Sequence, residues 1–165
     1  MSNSTPQPTP DEAEQASRPV QPVRVAVVDD HESVRLGIQA ACQAEGFDVV
    51  LTAAGVQEFV EGLAGREVDV VVLDLSLGDG STVTENVKRV QATGSAVLVH
   101  SIADRVASVR EALAAGAAGV IPKSSATATV MAAVATVARG DVLNNLEWAS
   151  AILSLIHISE PTRPY

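Results

Sequence analysis

Apolar residues recur along this chain in two alternating rhythms. Short apolar-rich runs at Arg24–Val28, Asp48–Ala53, Val68–Leu73, Ala96–His100 and Gly119–Ile121 read as strands of a buried parallel sheet. Between them, apolar positions return at helical spacing. Val34, Ile38, Ala41 and Cys42 make one such set; Val56, Phe59, Val60 and Leu63 make the next. Val83, Val87 and Val90 follow, then Val106, Val109 and Leu113, and last Val130, Val134, Val137 and Ala138. Each set is one face of a helix laid on a sheet. Gly46, Gly94 and Gly140 fall just past helix ends, where a left-handed residue commonly stops the helix. Strict strand–helix alternation predicts an α/β fold: a doubly wound, five-stranded parallel sheet in a (βα)5 pattern with right-handed crossovers.

Composition narrows the picture. Of 165 residues, 47% are hydrophobic but only 2% aromatic, so Val, Ala, Leu and Ile must build the core. Residues 1–22 are rich in Ser, Thr, Pro and Gln and are expected to be a disordered tail; residues 23–140 form the expected folded domain. Residues 141–152 read as the start of a linker helix. From Leu153 to Arg163 the chain reads like the in-frame translation of a transposase adapter used to prepare sequencing libraries. Residues 153–165 are therefore set aside as an expected artefact, and the gene is expected to continue differently after about residue 152. The net charge of −9 argues against gripping nucleic acid through the bulk surface. A single cysteine, Cys42, reads as a small buried hydrophobe and fits a reducing cytoplasm. No stretch is long and apolar enough to span a membrane.

Chemistry collects at the strand ends. Asp29 and Asp30 close the first strand, Asp74 the third, Ser101 the fourth and Lys123 the fifth. In an open parallel sheet these groups meet at the carboxyl edge, where ligands bind. Close carboxylates raise each other's pKa, and a protein that keeps them usually has a cation there. Oxygen donors in small number favour Mg²⁺. Asp74 is the best phosphoryl acceptor, because the loop Leu75-Ser76-Leu77-Gly78-Asp79-Gly80 after it leaves room for a donor to approach. Lys123 can pair with one phosphoryl oxygen and Ser101 can donate to another. His31 reads as an exposed loop side chain rather than a ligand or base, His100 has no evident partner, and Trp148 reads as packing.

This constellation resembles the receiver domain of bacterial two-component response regulators, a flavodoxin-like fold, across roughly Val23 to Gly140. The stretch Val-Val-Asp-Asp-His-Glu-Ser-Val-Arg-Leu-Gly-Ile and the loop Asp-Leu-Ser-Leu-Gly-Asp-Gly-Ser resemble the subgroup that carries a LuxR/NarL-type helix-turn-helix after the receiver. The resemblance implies a phosphoryl group delivered by a sensor histidine kinase onto Asp74. It implies Mg²⁺ held by Asp30, Asp74 and the backbone carbonyl of Ser76, with Asp29 acting largely through water. Ser101 and Lys123 would bind the phosphoryl oxygens and switch the surface around the fourth helix, fifth strand and fifth helix. The implied product is a cytoplasmic signalling phosphoprotein that is not an enzyme in the ordinary sense. It would touch DNA only through a C-terminal domain absent here, with a homodimer left open.

Two positions depart from the family. Val120 stands where a Tyr or Phe is common, so the usual aromatic switch is lacking. Ser124 rather than Pro follows Lys123, with Pro122 before it. Val120 motivates a competing reading as a phosphate-independent interaction module. An aspartyl phosphatase fits less well, since its acids usually follow the first strand as Asp-x-Asp. A flavodoxin-like phosphate binder fits less well too, because Asp29-Asp30-His31-Glu32 would repel phosphate without a metal.

Overall fold

Period-two alternation along each strand sends side chains into two apolar cores, one on either face of a single sheet. The computed structural model describes residues 4–7, 9, 21–102 and 105–143. Trp148, the expected linker helix beyond residue 143, the adapter-like segment and most of the expected tail lie outside the described residues. Strands and helices alternate: β1 (Arg24–Val28), α1 (Glu32–Ala44), β2 (Asp48–Ala53), α2 (Val56–Leu63), β3 (Val70–Leu73), α3 (Val83–Gln91), β4 (Ala96–Ser101), α4 (Val106–Ala114), β5 (Gly119–Pro122) and α5 (Thr127–Ala138). The sheet is parallel throughout, in the order β2-β1-β3-β4-β5. This is the (βα)5 doubly wound fold that the alternation predicts.

Val25, Val27, Val70, Val72, Leu98 and Ile121 pack with Ile38 and Cys42 of α1 and with Val130, Val134 and Val137 of α5. Their neighbours Ala26, Val28, Val71, Leu73, Val97, Val99 and Val120 pack with α2, α3 and α4. The inner strands β1, β3 and β4 are buried on both faces and need continuous apolar runs, so their polar residues stand only at the strand ends. Cys42 is buried, and burial pushes its thiol up to about 11, so it acts as a small hydrophobe.

Element ends shift by one or two residues where polar groups intervene. β3 starts at Val70 rather than Val68. The Asp69 carboxylate accepts the Arg24 N–H at 2.8 Å, taking the place of a ladder carbonyl. Thr82 caps α3, its hydroxyl accepting the Glu85 N–H at 3.2 Å, in a Thr-x-x-Glu pattern. Gly46, Gly94 and Gly140 all take positive φ, as their places after helices require. After α5 the chain turns back, and the Leu143 N–H donates to the Ala118 carbonyl at 3.0 Å. The Leu143 side chain then lies over Gly119, 2.5 Å from where a Cβ would stand, so this strand start has room for glycine alone.

One helix face differs from the expectation. Leu113 of α4 is 42% exposed, while Val109 and Ala112 are buried. The strip Val109, Ala112, Ala115 runs at i, i+3 and i+6 and is small enough to lie close on the sheet; Leu113 falls to its flank. Among the described residues no helix is long and apolar enough to cross a membrane.

Candidate functional site

The strand order reverses between β1 and β3, and that switch point opens a crevice at the carboxyl edge. Val28 pairs with Leu73, so the residues that follow, Asp29 and Asp74, emerge side by side. The Asp74 N–H donates to the Val28 carbonyl at 2.9 Å and holds that register past the strand end. On the other side Ser101 pairs with Pro122, and the Lys123 N–H donates to the Ser101 carbonyl at 2.8 Å. Four polar groups, Asp29, Asp74, Ser101 and Lys123, are thus aimed by the sheet rather than by flexible loops.

Lys123 lies between the two buried acids. Its Nζ is 3.0 Å from Asp29 Oδ2 and 3.3 Å from Asp74 Oδ1. Asp29 and Asp74 are only 2% and 3% exposed. Burial pushes the Asp74 carboxyl above its usual range, and the charge of Asp29 adds to this; the Ser76 N–H and Lys123 pull the other way. Burial also works against the Lys123 ammonium, but the hydrogen bond and charge of Asp29 and the charge of Asp74 outweigh it and hold its pKa up. Asp74 Oδ1 also accepts the Ser76 N–H at 3.2 Å. Asp74 Oδ2 is buried and has no hydrogen-bond partner among the described residues.

Asp30 is exposed beside this pair, and His31 closes over both acids. The His31 Nδ1 is 2.9 Å from Asp30 Oδ1 and 3.2 Å from Asp29 Oδ1. Asp29 Oδ1 further accepts the His31 N–H at 2.8 Å, and Arg35 donates to the Asp29 carbonyl at 2.7 Å. One donor atom each from Asp29, Asp30, His31 and Asp74 lies within 4.8 Å of the others, a group that could hold a metal ion. The donor set fits a divalent cation: three carboxylates gather beside a single lysine that pairs with two of them, and the Asp74 Oδ2 has no hydrogen-bond partner among the described residues.

Ser101 is buried at its strand end, and its hydroxyl donates to the Ile102 carbonyl at 3.2 Å. Val120 is fully buried, paired with Val99 inside the core on the α2–α4 face. The described peptide bonds are all trans, those around Pro122 included.

Two residues near the site escape sequence reasoning. His31 is 64% exposed, as expected of a loop residue, yet its ring faces the acids. Asn86 of α3 is buried; its Nδ2 donates to Ser81 Oγ at 2.8 Å, and Ser81 Oγ donates in turn to Asp79 Oδ1. The Ser81 N–H also donates to Asp79 Oδ1, and these bonds from Ser81 hold the Asp79 carboxyl below its usual range. This relay pins the loop that follows Asp74, whose Gly78 lies against Asp30. The signal for Asn86 was present: position 86 shares the core face of Val83, Val87 and Val90, so a polar residue there needs partners.

A doubly wound parallel sheet with acids and a lysine gathered at its switch point is the architecture of a receiver. Residues 25–135 match the family model described as response regulator receiver domain, and the chain belongs to that family. It is 37% identical over 119 residues to the transcriptional regulatory protein UhpA of Salmonella typhimurium, a match covering 72% of this chain and 60% of UhpA. Among solved structures, the receiver domain of the response regulator NarL from Mycobacterium tuberculosis is 32% identical, with a TM-score of 0.66. That match covers 73% of this chain and 98% of the NarL domain. A LuxR-family response regulator from Aurantimonas is 28% identical with a TM-score of 0.70, covering 81% and 97%. The relatives are of the LuxR/NarL type, and the chain spans 60% of the length of UhpA.

Proposed function

We propose that this chain is a phospho-acceptor receiver, taking a phosphoryl group from the phosphohistidine of a sensor histidine kinase onto Asp74. The observation that carries the reading is the divided state of the Asp74 carboxylate. Its Oδ1 is held by Lys123 and the Ser76 N–H, while its Oδ2 is buried and has no hydrogen-bond partner among the described residues. In the proposed step an Asp74 oxygen attacks phosphorus, the O–P bond forms as the P–N bond breaks, and the electron pair leaves on the imidazole nitrogen.

Asp30, Asp74 and the Ser76 carbonyl would hold Mg²⁺, with Asp29 acting largely through water. Bound there, the cation neutralises charge on the transferring group. Lys123 is already placed to exchange a carboxylate for a phosphoryl oxygen. Ser101 would give up the Ile102 carbonyl and donate to a second phosphoryl oxygen. The domain acts on itself alone, so it is a switch in the cytoplasm rather than a turnover enzyme. Its proposed output, shared with LuxR/NarL-type regulators, is control of an attached DNA-binding domain, with homodimer formation as one route.

Val120 favours a second reading. A fully buried valine cannot perform the rotamer change of a switch aromatic, and a phosphate-independent interaction module has no need of one. One experiment separates the two. The purified chain is incubated with Mg²⁺ and acetyl phosphate and followed by intact mass. A receiver gains one phosphoryl group, loses it in Asp74→Asn and keeps it in Asp79→Asn. No gain with a competent donor leaves the interaction module standing.

A further inference from the structure

We infer that His31 is a direct ligand in the cation site, so that the site takes a nitrogen-preferring transition metal such as Co²⁺ in addition to Mg²⁺. This rests on the acid-pocket reading above and adds to it a residue with a different donor chemistry. The geometry is the first argument. In an octahedral site with bonds of about 2.1 Å, neighbouring donor atoms stand about 3.0 Å apart. His31 Nδ1 stands 2.9 Å from Asp30 Oδ1 and 3.2 Å from Asp29 Oδ1, two such edges sharing one corner. A metal at the centre of such an octahedron would meet Nδ1 as a lone pair, leaving the ring proton on Nε2. The side chain is 64% exposed, which gives that proton solvent and the ion an entry path.

The second argument is independent of the histidine. Asp74 also belongs to the group of donors within 4.8 Å, and its Oδ2 is buried without a hydrogen-bond partner among the described residues. Such an acceptor marks the crevice as a place for a cation rather than a chance gathering of surface acids. The donor set then sets the preference. Carboxylates alone suit Mg²⁺, which favours oxygen; an added imidazole suits the later first-row metals, whose affinity for nitrogen sites climbs from Mn²⁺ through Co²⁺. Mg²⁺ can be bound by the oxygens with the imidazole turned aside, so both metals have a mode in one pocket.

The test uses the untagged chain and the metals alone, CoCl₂ and MgCl₂, by titration calorimetry and by the visible absorption of bound Co²⁺. Two variants are compared with the parent: His31→Ala, and His31→Asn, which keeps a hydrogen-bond donor beside Asp30 but ligates Co²⁺ poorly. The expected result is a loss of Co²⁺ affinity of at least about tenfold in both variants, a changed Co²⁺ spectrum, and Mg²⁺ affinity within about threefold of the parent. Unchanged Co²⁺ binding beside intact Mg²⁺ binding overturns the role of His31 and leaves the acid pocket standing. Recovery of Co²⁺ binding by His31→Asn also overturns it, showing that the ring only orients the acids. If the parent binds neither metal, the pocket reading and this inference fail together.

Discussion

At the scale of single residues, the site concentrates charge that the fold would not otherwise tolerate. Asp29 and Asp74 sit in the wall of a close-packed sheet, and Lys123 is the cation that pairs with both. His100 shows the opposite treatment on the same strand end. It is buried, its Nδ1 has no hydrogen-bond partner among the described residues, and burial together with the charge of Lys123 lowers its pKa to about 4, against a small opposing pull from Asp29. The imidazole is therefore neutral in the fold. Because the folded pKa lies below the usual 6.5, the unfolded chain takes up the proton first as pH falls. The contribution of a neutral His100 is present above pH 6.5 and is lost as pH falls toward 4. His100→Leu should flatten urea-unfolding stability across that window and raise it at neutral pH by up to about 1 kcal/mol, since an unpaired buried nitrogen is removed. An unaltered pH dependence in the variant would assign the acid lability to other groups.

At the scale of elements, the strands were legible because runs of Val and Leu ending in one polar residue have few alternative readings. Asp29, Asp74, Ser101 and Lys123 were legible for the same reason: a residue that ends a buried strand has its place set by the sheet. Loop and helix-flank detail was not. The ring of His31 could be placed only once the turn into α1 was known, and Leu113 went to the flank because alanines at i, i+3 spacing pack closer than leucine. The β3–α3 loop is the element where this matters most, since Asn86, Ser81 and Asp79 hold it from behind. Asn86→Leu removes a buried, unpaired Oδ1 along with the bond to Ser81. Its fold stability should stay level or rise by about 1 kcal/mol, because both polar obligations leave the core together. Its Mg²⁺ affinity should fall severalfold, because the loop carrying the Ser76 carbonyl loses its anchor. Urea titration and Mg²⁺ calorimetry on the same preparation read the two effects separately, and an unchanged Mg²⁺ affinity would show that the relay only packs α3.

At the scale of the whole molecule, the strand order makes the site. Sequence order alone leaves open which strands are neighbours; the reversal between β1 and β3 brings together acids 45 positions apart, Asp29 and Asp74. A cation bound only by the folded chain must stabilise it. At about tenfold excess over its Kd, Mg²⁺ should add roughly 1.4 kcal/mol, a rise of several degrees in Tm. Asp30→Asn should abolish most of the rise, and a melt indifferent to Mg²⁺ in the parent would count against the pocket. The central claim, however, concerns one carboxylate. An acyl phosphate is a mixed anhydride that borohydride reduces to an alcohol, converting an aspartyl residue to homoserine. The chain phosphorylated by acetyl phosphate, reduced and mapped by peptide mass spectrometry should carry homoserine at position 74 and at no other aspartate. Homoserine at position 29, 30 or 79, or none in a chain that had gained a phosphoryl group, would contradict the assignment of Asp74 as the acceptor.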